Sequence, residues 1–189
     1  MNTRRYQMSS RADAAERTAQ SLLDAMLTRF RTTPYALIRL DDVAADAGVT
    51  VQTAIRRFGG KEQLTAALAA REIERIASDR ADAAFASPET AVAALCAYYE
   101  RDGDLIARFE QEAVAIPALA ELAGHGRAVH VAWIEEVLGA GIASDRERRL
   151  AQLVAVLDVR CWQILRHERG LTASETRLAL EELIESILG

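Results

Sequence analysis

An all-α fold follows from three features of this 189-residue chain. Half of its residues are hydrophobic, yet only 5% are aromatic and three are proline. Apolar residues recur at helical spacing with no alternating strand pattern, and strong helix formers dominate over β-branched clusters. A chain of this length can bury a sizeable core in one or two small domains. The spacing predicts about nine helices: an N-terminal three-helix unit over residues 1–60, a connecting helix over 61–84, and a larger helical unit over 85–189.

The first helix is expected from Ser10 to Arg31, with Ala15, Ala19, Leu22, Leu23, Met26, Leu27 and Phe30 on one face. It must stop before Thr32-Thr33-Pro34, because proline disfavours helical geometry in the residue ahead of it. A short second helix covers 41–47, with Asp41 and Asp42 at its positive N-terminal end and Gly48 able to take the left-handed geometry that ends it. Thr50 is placed to cap the third helix, which turns Ala54 and Phe58 inward. Gly59-Gly60 breaks the chain again. The fourth helix runs from Lys61 to Ala84 and carries Leu64, Ala67, Leu68 and Ile76.

Ser87-Pro88-Glu89 reads as a helix start, with a capping serine and a proline in the first turn. Helices are expected at 89–101, 104–114 and 118–138, punctuated by Gly103, Pro117, Gly139 and Gly141. Ser144-x-x-Glu147 and Thr172-x-x-Glu175 both have the form of a capping box. They open a long helix over 145–169, ended by Gly170, and a last one over 173–188.

Net charge is −5, which taken alone counts against a polyanionic partner. The charge is unevenly distributed: residues 1–80 hold 13 Lys+Arg against 10 Asp+Glu, and the remainder hold 10 against 18. The N-terminal part is therefore the side suited to a polyanion. The charged N-terminal stretch lacks the apolar segment of a secretion signal, and no apolar run reaches the length of a membrane span, so a cytoplasmic protein with no membrane partner is expected. Cys96 and Cys161, 65 positions apart and without CxxC spacing, read as reduced thiols.

Residues 38–64, IRLDDVAADAGVTVQTAIRRFGGKEQL, contain two short helices joined by a glycine turn. This is the layout of a helix-turn-helix, whose second helix enters the DNA major groove. Gln52 has the geometry for bidentate hydrogen bonds to adenine, and Thr53 offers a hydroxyl or methyl to a neighbouring base. Arg56 and Arg57 reach phosphates one turn on. Lys61 begins a helix whose unpaired N–H groups suit the same anion.

The spacing D-V-A-x-x-A-G-V-T-x-x-T-x-x-R-x-F-x-x-K-E-x-L closely resembles the tetracycline-repressor (TetR) family of transcriptional regulators. Its anchors here are Val43, Ala44, Ala47, Gly48, Val49, Thr50, Thr53, Phe58, Lys61, Glu62 and Leu64. The resemblance implies a DNA-binding head, a helical body that binds ligand and dimerises, and a homodimeric repressor released from a palindromic operator by a small molecule. It places Thr50, Val51, Gln52 and Thr53 among the bases, Arg57 and Lys61 on phosphate, and Arg39 against the backbone at the start of the second helix. Two positions depart from the pattern. Ile55 stands where the family usually has tyrosine, and Val51 replaces a frequent lysine. Isoleucine cannot donate to phosphate but can pack against a thymine methyl or the helix core.

In the body, Leu150, Leu153, Leu157 and Ile164 stripe one helix, and Leu180, Leu183, Ile184 and Ile187 stripe the last. The resemblance implies that these two helices pair with their twins across a twofold axis. Tyr98, Tyr99, Phe109, His130, Trp133 and Trp162 gather most of the body's aromatics, a composition suited to a largely apolar effector or to plain core. Arg127 and His130 lie one turn apart and offer polar tips. His125 and His130 diverge by about 140° on a helix, so they form no metal pair, and no G-x-S-x-G, P-loop or H-E-x-x-H motif is present. No enzyme activity, metal or cofactor is expected. The competing expectation is a helical dimeric interaction or ligand-sequestering module that does not read DNA.

Overall fold

The computed structural model describes residues 3–84 and 87–189, and among these it contains helices and no strand. The chain divides into two compact units, Met1–Arg71 and Glu72–Gly189. The domain boundary expected at residue 85 falls outside the described residues.

The first unit, the head, holds α1 (Thr3–Thr32), a 3-10 turn (Tyr35–Leu37), α2 (Leu40–Asp46), α3 (Val51–Phe58) and the first part of α4 (Lys61–Ala84). α1 begins seven residues before Ser10, since no glycine or proline interrupts that stretch. Its inward face is Ala19, Leu22, Leu23, Met26 and Phe30, all buried, whereas Ala15 is exposed and Leu27 half-buried. Ala25, Ile38, Val43, Ala44, Ala54, Leu64, Leu68 and Ala69 supply the rest of the head's buried apolar set.

The turn between α2 and α3 follows its residue chemistry closely. Gly48 has φ +70°, the left-handed geometry that glycine adopts at least cost. The Val49 amide donates to the Ala44 carbonyl at 2.9 Å, closing the end of α2. Arg29, near the end of α1, reaches α2 through Asp46 at 2.6 Å, and that hydrogen bond holds the Asp46 carboxyl below the usual range.

The second unit, the body, contains the rest of α4 with α5 (Pro88–Ala113), α6 (Pro117–Leu138), α7 (Arg146–Val156), α8 (Val159–Gln163), a π-helical turn (Ile164–Glu168) and α9 (Ala173–Leu188). α5 packs against α6, α8 and α9. Ser87 caps α5 through the Thr90 amide.

Three boundaries differ from expectation. Gly103 does not interrupt α5, which is continuous over 26 residues. The glycine instead leaves room for an indole: a Cβ there would lie 2.4 Å from Trp162 Cζ3. The long helix expected over 145–169 is broken at Leu157, and α8 restarts with Asp158 as its cap, accepting from the Arg160 amide at 2.8 Å. Ser144 does not cap α7, because the helix starts one residue later, with Asp145 at φ 50° as the flanking residue. Asp145 then stands three residues before Arg148 and pairs with it at 2.6 Å.

At α9 the capping box forms in full. Thr172 accepts from the Glu175 amide, and Glu175 accepts from the Thr172 amide at 2.8 Å. Replacing Thr172 with valine removes the side-chain acceptor while keeping the shape. The expected loss is about 1 kcal/mol, or about 2–4 °C in melting temperature for a chain of this size, measured by thermal melts followed by circular dichroism.

An ionic cluster ties the second half of α4 to α5. Asp102 is 3% exposed and accepts from Arg75 at 2.9 Å and Arg101 at 2.8 Å. Partial burial works against charge on Arg75, but hydrogen bonds to Glu72 and Asp102 outweigh it and raise its pKa. A buried carboxylate is tolerated because both arginines satisfy it.

Candidate functional site

α3 carries the candidate interface of the head. Its start is fixed by Thr50, whose hydroxyl accepts from the Thr53 amide at 3.2 Å and lies 3.0 Å from the Thr53 hydroxyl. Both threonine hydroxyls are thus engaged in the cap. Ala54 is buried and Phe58 half-buried, which sets the inward face. The opposite face displays Gln52, Ile55 and Arg56, three and four residues apart, on one side of the helix. Val51 is half-buried.

Among the described residues, the side chains of Arg39, Gln52 and Arg56 engage no hydrogen bond or ion pair. Arg39 is exposed and is the residue from which α2 starts. Arg57 is also exposed, but its guanidinium meets Glu16 of α1 at 3.3 Å. Ile55 is 40% exposed, so it is not a core residue. An apolar side chain held outward between a glutamine and an arginine suits a surface that meets both methyl groups and polar base edges.

Lys61, expected on phosphate, opens α4 and is engaged within the head. Its ammonium donates to the carbonyls of Tyr35 and Ile38, both at 2.9 Å, and lies 4.1 Å from the centre of the Tyr35 ring. Sequence reasoning did not single out Tyr35. The only local signal is its position after Pro34, which favours a turn and turns carbonyls outward from regular pairing.

In the body, Tyr98, Tyr99, Trp133 and Trp162 are buried in one core, with Phe109 and His130 half-buried. Tyr98 and Tyr99 lie 5.6 Å apart, Tyr99 and Trp162 5.8 Å, and His130 stacks on Trp133 at 6.2 Å. The break between α7 and α8 links these rings. The Cys161 amide bonds to Asp158, leaving the Leu157 carbonyl to accept from the Tyr99 hydroxyl at 2.7 Å and to face His130 Nε2 at 3.1 Å. Arg127 is exposed.

Trp162 is held at its other edge by Glu100, which accepts from the indole N–H at 2.9 Å and from Arg166 at 2.6 Å. The Arg166 hydrogen bonds hold the Glu100 carboxyl below the usual glutamate range, against the opposing effect of burial. On the far side, burial pushes the Glu110 carboxyl up, with the Asp158 charge adding to the shift and Arg160 and Arg127 opposing it. Burial also pushes the Cys96 thiol up to about 11 and raises Cys161, so neither is an activated thiolate. Both cysteines are free.

The eight residues expected on the long helix over 145–169 and on the last helix to meet a second copy separate into three groups. Leu153, Leu157, Leu180 and Ile184 are buried in the body's own core. Leu150 and Ile187 are half-buried, and Ile164 and Leu183 are 45% and 43% exposed. The stripe is thus mostly internal packing, with Leu178 as a further exposed apolar residue that the spacing did not single out. No three His, Cys, Asp or Glu side chains among the described residues converge as metal ligands, and no described helix is long and apolar enough to cross a membrane.

No protein-family model and no curated protein matches the chain. Solved structures do. A TetR transcription regulator from Haloarcula marismortui superposes with a TM-score of 0.70 at 16% identity, over 89% of this chain and 97% of that one. A transcriptional regulator from Rhodococcus sp. gives 0.72 at 21% identity, over 92% and 95%. A protein assigned as a transcriptional regulator from Saccharomonospora viridis, solved in complex with choline, gives 0.70 at 18% identity, over 92% and 96%. The chain therefore has the fold of TetR-type transcriptional regulators across nearly its whole length.

Proposed function

We propose that this chain, having the fold of TetR-type regulators, is itself a DNA-binding transcriptional regulator: a cytoplasmic homodimer that represses from a palindromic operator and is released by a small molecule. The observation that carries the reading is the outward face of α3. Gln52, Ile55 and Arg56 lie side by side there, and the two polar side chains have no partner among the described residues. In the major groove Gln52 reads adenine, Ile55 packs on a thymine methyl, and Arg39 and Arg56 take phosphates, joined by Arg57 once it leaves Glu16.

The effector role rests on the body's aromatic core, in which the Leu157 carbonyl and the ring nitrogen of His130 put polar atoms among Tyr98, Tyr99, Trp133 and Trp162. A mostly apolar setting with a few convergent polar groups suits a small organic molecule. The choline complex of the Saccharomonospora viridis protein supports small-molecule binding in this fold. Pairing of two copies would draw on the exposed Ile164 and Leu183 beside the half-buried Leu150 and Ile187.

Selection of bound duplexes from a random DNA pool tests the reading. It predicts enrichment of a palindrome whose half-sites repeat after about one helical turn or a multiple of it. Gln52→Ala should relax preference at one base position per half-site, at about 1–3 kcal/mol of discrimination, and leave the other positions intact. A pool that shows no enrichment supports instead a helical interaction or ligand-sequestering module.

A further inference from the structure

Lys61 opens α4, where a lysine beside the unpaired amides of a long helix is ordinarily read as a phosphate clamp. Its surroundings argue otherwise. An ammonium has three N–H groups. Two of them are donated at 2.9 Å to the carbonyls of Tyr35 and Ile38, and the Tyr35 ring covers the charge at 4.1 Å. The side chain is half-buried. Leaving this setting for a phosphate would take the lysine donor from two carbonyls of a short turn, of which Tyr35's keeps only the Ile38 amide, and give up a cation–π contact of about 0.5–2 kcal/mol.

The turn that Lys61 grips leads directly to Arg39. The Leu37 and Ile38 amides close it by donating to Pro34 and Tyr35 at 3.0 and 3.1 Å, and the Ile38 side chain is buried. With its carbonyl on Lys61 and its side chain in the core, Ile38 is held at both ends. Arg39 follows it in extended geometry, exposed and without a side-chain partner among the described residues. Lys61, the first residue of α4, is thereby joined to the residue immediately before Arg39, from which α2 starts.

We propose that Lys61 is a positioning residue: it staples the 34–38 turn to the start of α4 so that Arg39 is aimed at a phosphate, and takes no phosphate itself. The proposal rests on the DNA-binding reading above for its consequence, but the staple itself is a property of the free head.

The test is a double-mutant cycle read by the salt dependence of DNA affinity, alongside amide exchange of the free protein. Each phosphate contact contributes about 0.9 to the slope of log affinity against log salt. R39A is expected to lower the slope by about that amount for each bound subunit. K61M placed on R39A should lower it no further, and K61M alone no more than R39A alone. In the free protein, K61M should speed exchange of the Leu37 and Ile38 amides at least several-fold. A further fall of about 0.9 per bound subunit on adding K61M to R39A would establish a direct phosphate contact and overturn the proposal, as would unchanged exchange. If the wild-type protein shows no salt-dependent DNA binding, the regulator reading fails, while the staple is still decided by exchange. Should K61M not fold, K61Q keeps a donor for the carbonyls without the charge: placed on R39A it should lower the slope no further, and a further fall of about 0.9 per bound subunit would overturn the proposal.

Discussion

Gly103→Ala is expected to destabilise the protein by about 1–3 kcal/mol, the cost of an extra methyl forced into a filled core. The new Cβ would sit 2.4 Å from Cζ3, 2.8 Å from Cη2 and 2.9 Å from Cε3 of Trp162. The indole cannot swing aside cheaply, because its N–H is fixed to Glu100 at 2.9 Å and its ring packs on Tyr99 at 5.8 Å. A thermal melt should show a drop of about 2–4 °C per kcal/mol lost. The sign should reverse in a Trp162→Leu background. With the ring gone, alanine in the middle of α5 gains about 1 kcal/mol of helix propensity over glycine, so the two substitutions couple strongly. An equal loss in both backgrounds would show that the glycine serves some purpose other than admitting Trp162. The hold on Trp162 also depends on acid: since Arg166 keeps the Glu100 carboxyl below its unfolded value, that contribution is present above the ordinary glutamate range. It is lost as the pH falls through the lowered folded value.

The second large effect concerns binding. Removing both Arg39 and Arg56 should lower the salt slope of DNA affinity by about 1.8 per bound subunit and weaken binding at physiological salt on the order of thirtyfold per subunit. Phosphate contacts carry no sequence information, so selected and random duplexes should lose affinity alike. Fluorescence anisotropy across a salt series measures both. Arg57→Ala should cost less than either arginine alone, because breaking its 3.3 Å pair with Glu16 offsets part of what Arg57 gains on phosphate. A loss confined to one sequence would assign these arginines to base edges instead.

The head was legible in the sequence because its determinants are local. Gly48 and Thr50 act on residues within four positions of themselves, and the spacing of Ala54 and Phe58 marks the inward side of α3 without reference to anything distant. The body was less legible for the opposite reason. Gly103 reads as a break until Trp162, 59 positions on, is seen against it. The α7–α8 break lies inside an unbroken apolar stripe, and what stabilises it is a hydroxyl on Tyr99, 58 positions earlier. Periodicity likewise identified the apolar faces of α7 and α9 but not which neighbour covers them. Leu153, Leu157, Leu180 and Ile184 turn out to serve internal packing. Lys61 shows the same limit at a single residue: its charge and helix position were readable, and the two carbonyls from a turn over twenty residues upstream were not.

The placement of the indoles has an optical consequence. The chain's two tryptophans, Trp133 and Trp162, both lie in the body's core, and the head has none. Intrinsic tryptophan emission is therefore a body-only signal, with one emitter stacked on His130 and the other bonded to Glu100. A change in emission on adding an effector reports these surroundings without any label. A change on adding a DNA duplex that meets α3 would register an event that began in a unit with no tryptophan fluorophore of its own.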